Sequence, residues 1–167
     1  SSYPNKLVIT TFLKSEKSVS AYFSKNEKIK IVDLFIRIIQ RRLNGKELTK
    51  GKRFSEESIS LYNSTLKAIQ GFQVYKGRKF FYVEEFKSKQ LIEEFEIFMT
   101  SELDLMINTI ANKLKTLKSF LQIAWSDGII DFNPFKKHGI VIYTEETDLV
   151  VFTKDEMIAL ENLDLTS

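Results

Sequence analysis

The chain reads as an all-α protein, a small bundle of four to five helices with an extended linker after it. Three observations predict this. Of the 167 residues 43% are hydrophobic, enough for one domain to bury a real core. Six Gly and two Pro leave little material for the turns that many short strands would need. Apolar residues also recur at intervals of three and four, the period of a helix with one buried face.

Residues 1–26 show no period, and the run KSEKSVSAYFSKNEK reads as an N-terminal flank. From Lys28 to Asn44, Ile31, Leu34, Phe35, Ile38, Ile39 and Leu43 form an apolar stripe, with Asp33, Arg37, Gln40, Arg41 and Asn44 on the wet side. The run NGKELTKGKR then makes a basic connection. Ser55 ahead of Glu56 and Glu57 is a cap with acids in the first turn, where the helix dipole favours them, and opens a second helix to about Tyr75. Ile59, Tyr62, Leu66 and Ile69 face one way, Leu61, Ala68 and Phe72 make a second strip, and Ser60, Asn63, Ser64, Lys67, Gln70 and Gly71 remain as a polar face.

RKFFYVEEF predicts a short extended piece before a third helix, Ser88 to about Glu102, with Leu91, Ile92, Phe95, Phe98 and Met99 as its stripe. In the fourth, Asn108 to Ser126, Ile110, Leu114, Leu117, Leu121 and Ala124 form a buried seam that Trp125 ends as a packed aromatic. Asn112, Lys115, Thr116, Ser119 and Gln122 lie opposite, with Lys113 and Lys118 at the borders. Asp127-Gly128 stops this helix, and Asn133-Pro134 starts a short turn. GIVIYTEETDLVVF reads as an extended linker, and Thr153-Lys154-Asp155-Glu156 as a capping box before Met157, Leu160 and Leu163.

The net charge of +3 hides a strong segregation. Lys28 to Arg53 holds nine basic and two acidic residues, Ser58 to Lys79 four basic and none acidic, and Asn108 to Ser126 three basic and none acidic. Phe80 to Ile107 is −5 and Gly139 to Ser167 is −6. Such asymmetry shapes the field a partner meets far more than the total does, and points to a polyanion.

Several chemistries drop out. With no Cys there is no disulfide, thiolate nucleophile or cysteine metal site, as suits an intracellular chain. No run reaches the roughly 20 apolar residues of a membrane helix, and no secretory leader is expected. There is no Gly-rich phosphate loop, G-x-S-x-G or H-E-x-x-H. The single His138 reads as an ordinary exposed residue, and Glu84, Glu85, Glu93, Glu94 and Glu96 as solvated helix acids. No catalytic residue, cofactor, metal or small-molecule substrate is expected.

What remains is a pair of helices, the second and the fourth, that carry no acid beyond the first turn. Short polar side chains let a helix backbone approach a duplex, their hydroxyls and amides bond phosphates or base edges, and lysines neutralise phosphate charge. The candidate DNA-binding residues are Ser60, Asn63, Ser64 and Lys67 on the second helix and Thr109, Asn112, Lys113, Lys115, Thr116, Lys118 and Ser119 on the fourth. Lys50, Lys52 and Arg53 of the basic connection join them. The competing reading is a helical protein–protein interaction module, with the lysines merely solvating and the apolar face of the first helix packed on a partner.

Asn108-Thr109-Ile110, KLKTLKSFLQIA and DGIIDFNPF, followed by FTKDEMIALENLDL, carry a resemblance. The combination resembles the core-binding domain of tyrosine recombinases, the site-specific integrases of phages and conjugative transposons. DLFIRIIQRR, SISLYNSTLKAIQGF and LIEEFEIFM are similar to the family's first three helices, and Phe152 stands where the family usually has Leu. The resemblance implies a SAM-like bundle that lies on one side of duplex DNA, its second and fourth helices towards the major groove, and other integrase protomers as partners on DNA. It implies a core-binding domain at residues 27–137 and an interdomain linker at 138–152. Residues 153–167 would be the helix leading into a truncated catalytic domain, whose arginines, histidine and tyrosine cannot be placed here. A bacterial, cytoplasmic, nucleoid-associated protein is the expected setting.

Overall fold

A computed structural model describes residues 27–146 and 153–164 of the chain. Residues 1–26 and residues 147–152 of the expected 138–152 linker lie outside the described residues. Among the described residues there are six α-helices, with isolated β-bridges in place of strands: α1 (Ile31–Leu43), α2 (Glu56–Tyr75), α3 (Lys89–Ser101), α4 (Ile107–Ser126), α5 (Pro134–Lys137) and α6 (Lys154–Asp164). No helix among the described residues is long and apolar enough to cross a membrane.

The helix ends follow from local chemistry. Ser55 Oγ accepts from the Ser58 backbone N–H at 3.2 Å and Ser88 Oγ from that of Leu91 at 3.4 Å, each satisfying a donor with no partner inside its helix. Gly128, at φ +76°, ends α4 in the left-handed conformation a glycine adopts without strain. Asn133 caps α5, accepting from the Phe135 N–H at 3.0 Å, with Pro134 at the first position. The Thr153–Glu156 capping box also forms: the Thr153 N–H donates to Glu156 Oε2 at 2.7 Å and the Glu156 N–H to Thr153 Oγ1 at 3.4 Å.

The core joins the stripes of all four long helices. Ile31, Leu34, Phe35 and Ile38 of α1 are buried with Ile69 and Phe72 of α2, Ile92, Phe95 and Met99 of α3, and Leu114, Leu117, Phe120, Leu121 and Ala124 of α4. Each large side chain so buried contributes roughly 1.5–3 kcal/mol of transfer free energy. The apolar face of α1 is therefore taken up inside the bundle. At the centre, the Phe72 ring lies 5.4, 5.3 and 5.5 Å from those of Phe81, Phe95 and Phe98. Gly71 belongs to this contact rather than to the wet face, since a β-carbon there would lie 3.3 Å from Phe98 Cζ.

Other expectations change. Residues 80–82 are extended, with the Ile31 N–H donating to Phe81 O and the Val83 N–H to Ile29 O, but Val83–Lys87 turns into a 3-10 helix. Leu43 is half exposed and Arg42 is buried in its place, its guanidinium ringed by Phe54, Tyr62 and Phe120. Trp125 is 40% exposed beneath Lys136, because Ala124 is the residue that meets the core. His138 is half-buried rather than exposed: Nε2 is 2.9 Å from Lys87 O and its ring edge meets Phe132. Beyond it, Ile140 and Ile142 pack against the core, and Asn108 holds the backbone of Glu145.

Candidate nucleic-acid interface

A helix packed on several sides keeps only a narrow strip for solvent, and α4 is such a helix. Ile110, Ala111, Lys113, Leu114, Thr116, Leu117, Phe120, Leu121 and Ala124 are all buried, which leaves Thr109, Asn112, Lys115, Lys118 and Ser119 exposed along one line. On α2, Ser60, Asn63 and Lys67 are exposed with a comparable spacing of three and four residues, while Ser64 is half-buried. Between α1 and α2, Lys50, Lys52 and Arg53 are exposed.

Thr116 and Lys113 therefore do not stand on the wet face of α4. Both are buried, Lys113 at 5% and Thr116 at 4% exposure. The reason is the approach of α2, which covers the side of α4 next to Asn112. Thr116 Oγ1 turns back to donate to Asn112 O at 3.0 Å, and the Lys113 ammonium donates to Ser64 Oγ. Ser64 is one turn from Ser60 and from Lys67, and Lys113 one turn from Thr109, so this contact borders both exposed strips. Desolvation holds the Lys113 ammonium below the ordinary lysine pKa.

Sequence patterning does not show how the charges pair. On the side of α3 the cations are neutralised: Lys76 meets Glu94 at 2.8 Å, Arg78 meets Glu85 at 2.8 Å, Lys87 meets both Glu84 and Asp131, and Lys89 meets Glu93. Among the described residues no ion pair involves Lys50, Lys52, Arg53, Lys67, Lys115 or Lys118. Glu56 and Glu57 line a shallow depression with Ser60, Leu61 and Ser64 at the start of α2. Glu57 is held below the usual carboxylate range, first by its backbone hydrogen bond and then by Ser55, so the surface turns negative at that end.

No group of three or more His, Cys, Asp or Glu among the described residues could hold a metal ion. A surface of unpaired lysines, hydroxyls and amides can instead bind a repeating anion, through charge and hydrogen bonds to its oxygens.

Two comparisons bear on this geometry. The family model of the phage integrase SAM-like domain matches residues 34–140, from within α1 past α5. Neither curated proteins nor solved structures yield a match.

Proposed function

Because the chain belongs to the phage integrase SAM-like domain family, we propose that it is the DNA-binding part of a site-specific integrase, holding the duplex of a core recombination site through α2 and α4. The observation that carries the reading is the division of cations: those beside α3 are paired with carboxylates, and those on the α2 and α4 strips and the α1–α2 connection are not. Cations without protein partners release counterions when they meet phosphate, which is the main source of sequence-independent affinity for DNA.

The contacting residues in this reading are Ser60, Asn63, Lys67, Thr109, Asn112, Lys115, Lys118 and Ser119, with Lys50, Lys52 and Arg53. Ser64, Lys113 and Thr116 support that surface from beneath. Strand breakage and rejoining fall to a catalytic domain of the tyrosine-recombinase kind in the parent protein. Other integrase protomers on the same DNA are its protein partners, in a bacterial cytoplasm. The apolar face of α1, on which an interaction-module reading relied, is occupied by the core.

The test is duplex binding across a salt series, followed by fluorescence anisotropy. Lys115→Glu with Lys118→Glu should weaken binding ~10-fold or more and make the slope of log affinity against log salt shallower by about two. Lys76→Glu with Lys89→Glu makes the same charge change beside α3 and should leave that slope in place. Equal loss from both pairs would reduce the surface to net charge alone. Absence of duplex binding by the unaltered chain at low salt would reject the reading.

A further inference from the structure

The segment between α1 and α2 is a folded hairpin. Thr49 and Lys52 exchange both backbone hydrogen bonds, at 2.8 and 2.9 Å, around a loop of two residues. Both loop residues have positive φ, +49° at Lys50 and +76° at Gly51, the signature of a type I′ turn. Gly51 suits its place. Lys50 does not, because a side chain strains the left-handed conformation, and Asn, Asp or Gly is the usual first residue of such a turn. An exposed lysine thus occupies a position where a different residue would hold the fold better. Such conflicts between local preference and residue gather at functional sites.

The hairpin is also anchored at both ends. The buried Arg42 guanidinium lies 4.4 Å from the ring of Phe54, which follows the hairpin, and its Nη2 donates to Glu47 Oε1, which precedes it, at 3.3 Å. Tyr62 and Phe120 complete the enclosure at 5.0 Å each, tying it to α2 and α4. The Arg53 guanidinium lies against Gly45, where a β-carbon would come within 3.0 Å of Arg53 Nε.

We propose that this hairpin is a preorganised clamp for the phosphate backbone of duplex DNA, distinct from the α2 and α4 strips, with Lys50 at its tip and Arg42 as its positioning residue. The proposal rests on the DNA-binding reading above, which already counts Lys50, Lys52 and Arg53 as contacts, and adds that their segment is fixed in shape before DNA arrives, through Arg42. A loose basic loop would lose part of its Coulombic gain to the entropy of ordering on DNA; a hairpin fixed beforehand keeps it.

Anisotropy with duplex DNA over a salt series, beside a thermal melt of each variant, tests this. Lys50→Asn should raise the melting temperature by about 3 °C. It should also weaken binding roughly 3- to 10-fold and lower the salt slope by about one. Gly51→Pro keeps every charge but cannot take a positive φ, so it should weaken binding by a similar factor with the salt slope unchanged, and lower the melting temperature by a few degrees while the bundle stays folded. Arg42→Lys, if it folds, should bind more weakly with an unchanged salt slope, because the charges remain and only their placement is lost. Should Lys50→Asn and Gly51→Pro bind like the unaltered chain while Lys115→Glu with Lys118→Glu loses binding, the clamp is overturned and the DNA-binding reading stands. If the unaltered chain does not bind duplex at all, both fall.

Discussion

Lys113 of α4 gives its ammonium hydrogen bond to Ser64 of α2, inside the bundle and with no carboxylate paired to it among the described residues. Removing a lone cation from water is costly, and burial holds this lysine below its ordinary pKa. Whatever the contact contributes, it contributes at the place where two candidate DNA-facing strips meet.

The sign of the pH effect follows from that direction. Where Lys113 is protonated in both the folded and unfolded chain, its burial weakens the fold. As pH rises from the depressed folded value towards the free lysine value of about 10.4, the folded form gives up its proton first and the penalty is relieved. Lys113→Met removes this alkaline gain. At pH 7 the variant should be as stable as the unaltered chain or better by up to ~1 kcal/mol, because Ser64 is half-buried and can turn to water. Urea unfolding at pH 7 and pH 10 measures both effects. A loss of more than ~2 kcal/mol at pH 7 would show that the bond to Ser64 outweighs the desolvation.

Phe120 is where three elements depend on one ring. It lies 4.4 Å from Phe35 of α1 and 5.2 Å from Tyr62 of α2, and the Arg42 guanidinium lies 5.0 Å away. Phe120→Ala should therefore cost about 3–5 kcal/mol, from lost transfer energy and the cavity left behind. For a domain whose whole stability is of order 5–15 kcal/mol, that brings it near unfolding at room temperature. Calorimetry should find the transition lowered by well over 10 °C, and Phe120→Leu should recover most of it. A loss below ~1 kcal/mol would mean that the bundle collapses around the gap.

The four long helices were legible because their determinants are local. The Ser55, Ser88 and Asn133 caps, the Gly128 stop and the apolar spacing of each stripe operate within a few residues. The two acid-free strips were legible on the same ground. Which side of α4 stays wet was not, since Thr116 and Lys113 are covered only because α2 approaches there, a fact of tertiary packing. Arg42 took an interior place that the helical period gave to Leu43, because rings from α2, α4 and the following loop enclose its guanidinium. The hairpin is not legible in the sequence because Lys50-Gly51 lacks the Asn or Asp that usually signals a type I′ turn. The pairing of the α3-side cations depends on contacts such as Lys76 with Glu94 and Lys87 with Asp131, eighteen and forty-four residues apart.

Asn108 ties the segment after α5 to the start of α4. Its Nδ2 donates to Glu145 O at 3.1 Å and its Oδ1 accepts from the Glu145 N–H at 2.9 Å, so one amide imitates the paired bonds of a neighbouring strand. Ile140 and Ile142 pack on the core just before it, and Tyr143 lines a cavity of 180 Å³ with Ile107, Ile110 and Leu114. Release of the amide should free the end of this segment first, because the isoleucines hold its beginning. Asn108→Ala should therefore speed amide exchange at Glu145 by ~10-fold or more, the loss of about 1–2 kcal/mol of local protection, with little change at Ile140. Asn108→Asp keeps the acceptor but loses the donor and should fall between the two. Since Asn108→Ala changes no charge beside Thr109, duplex affinity of that variant should hold within about twofold. If exchange accelerates equally along α4, the amide supports the helix as a whole rather than the segment it holds.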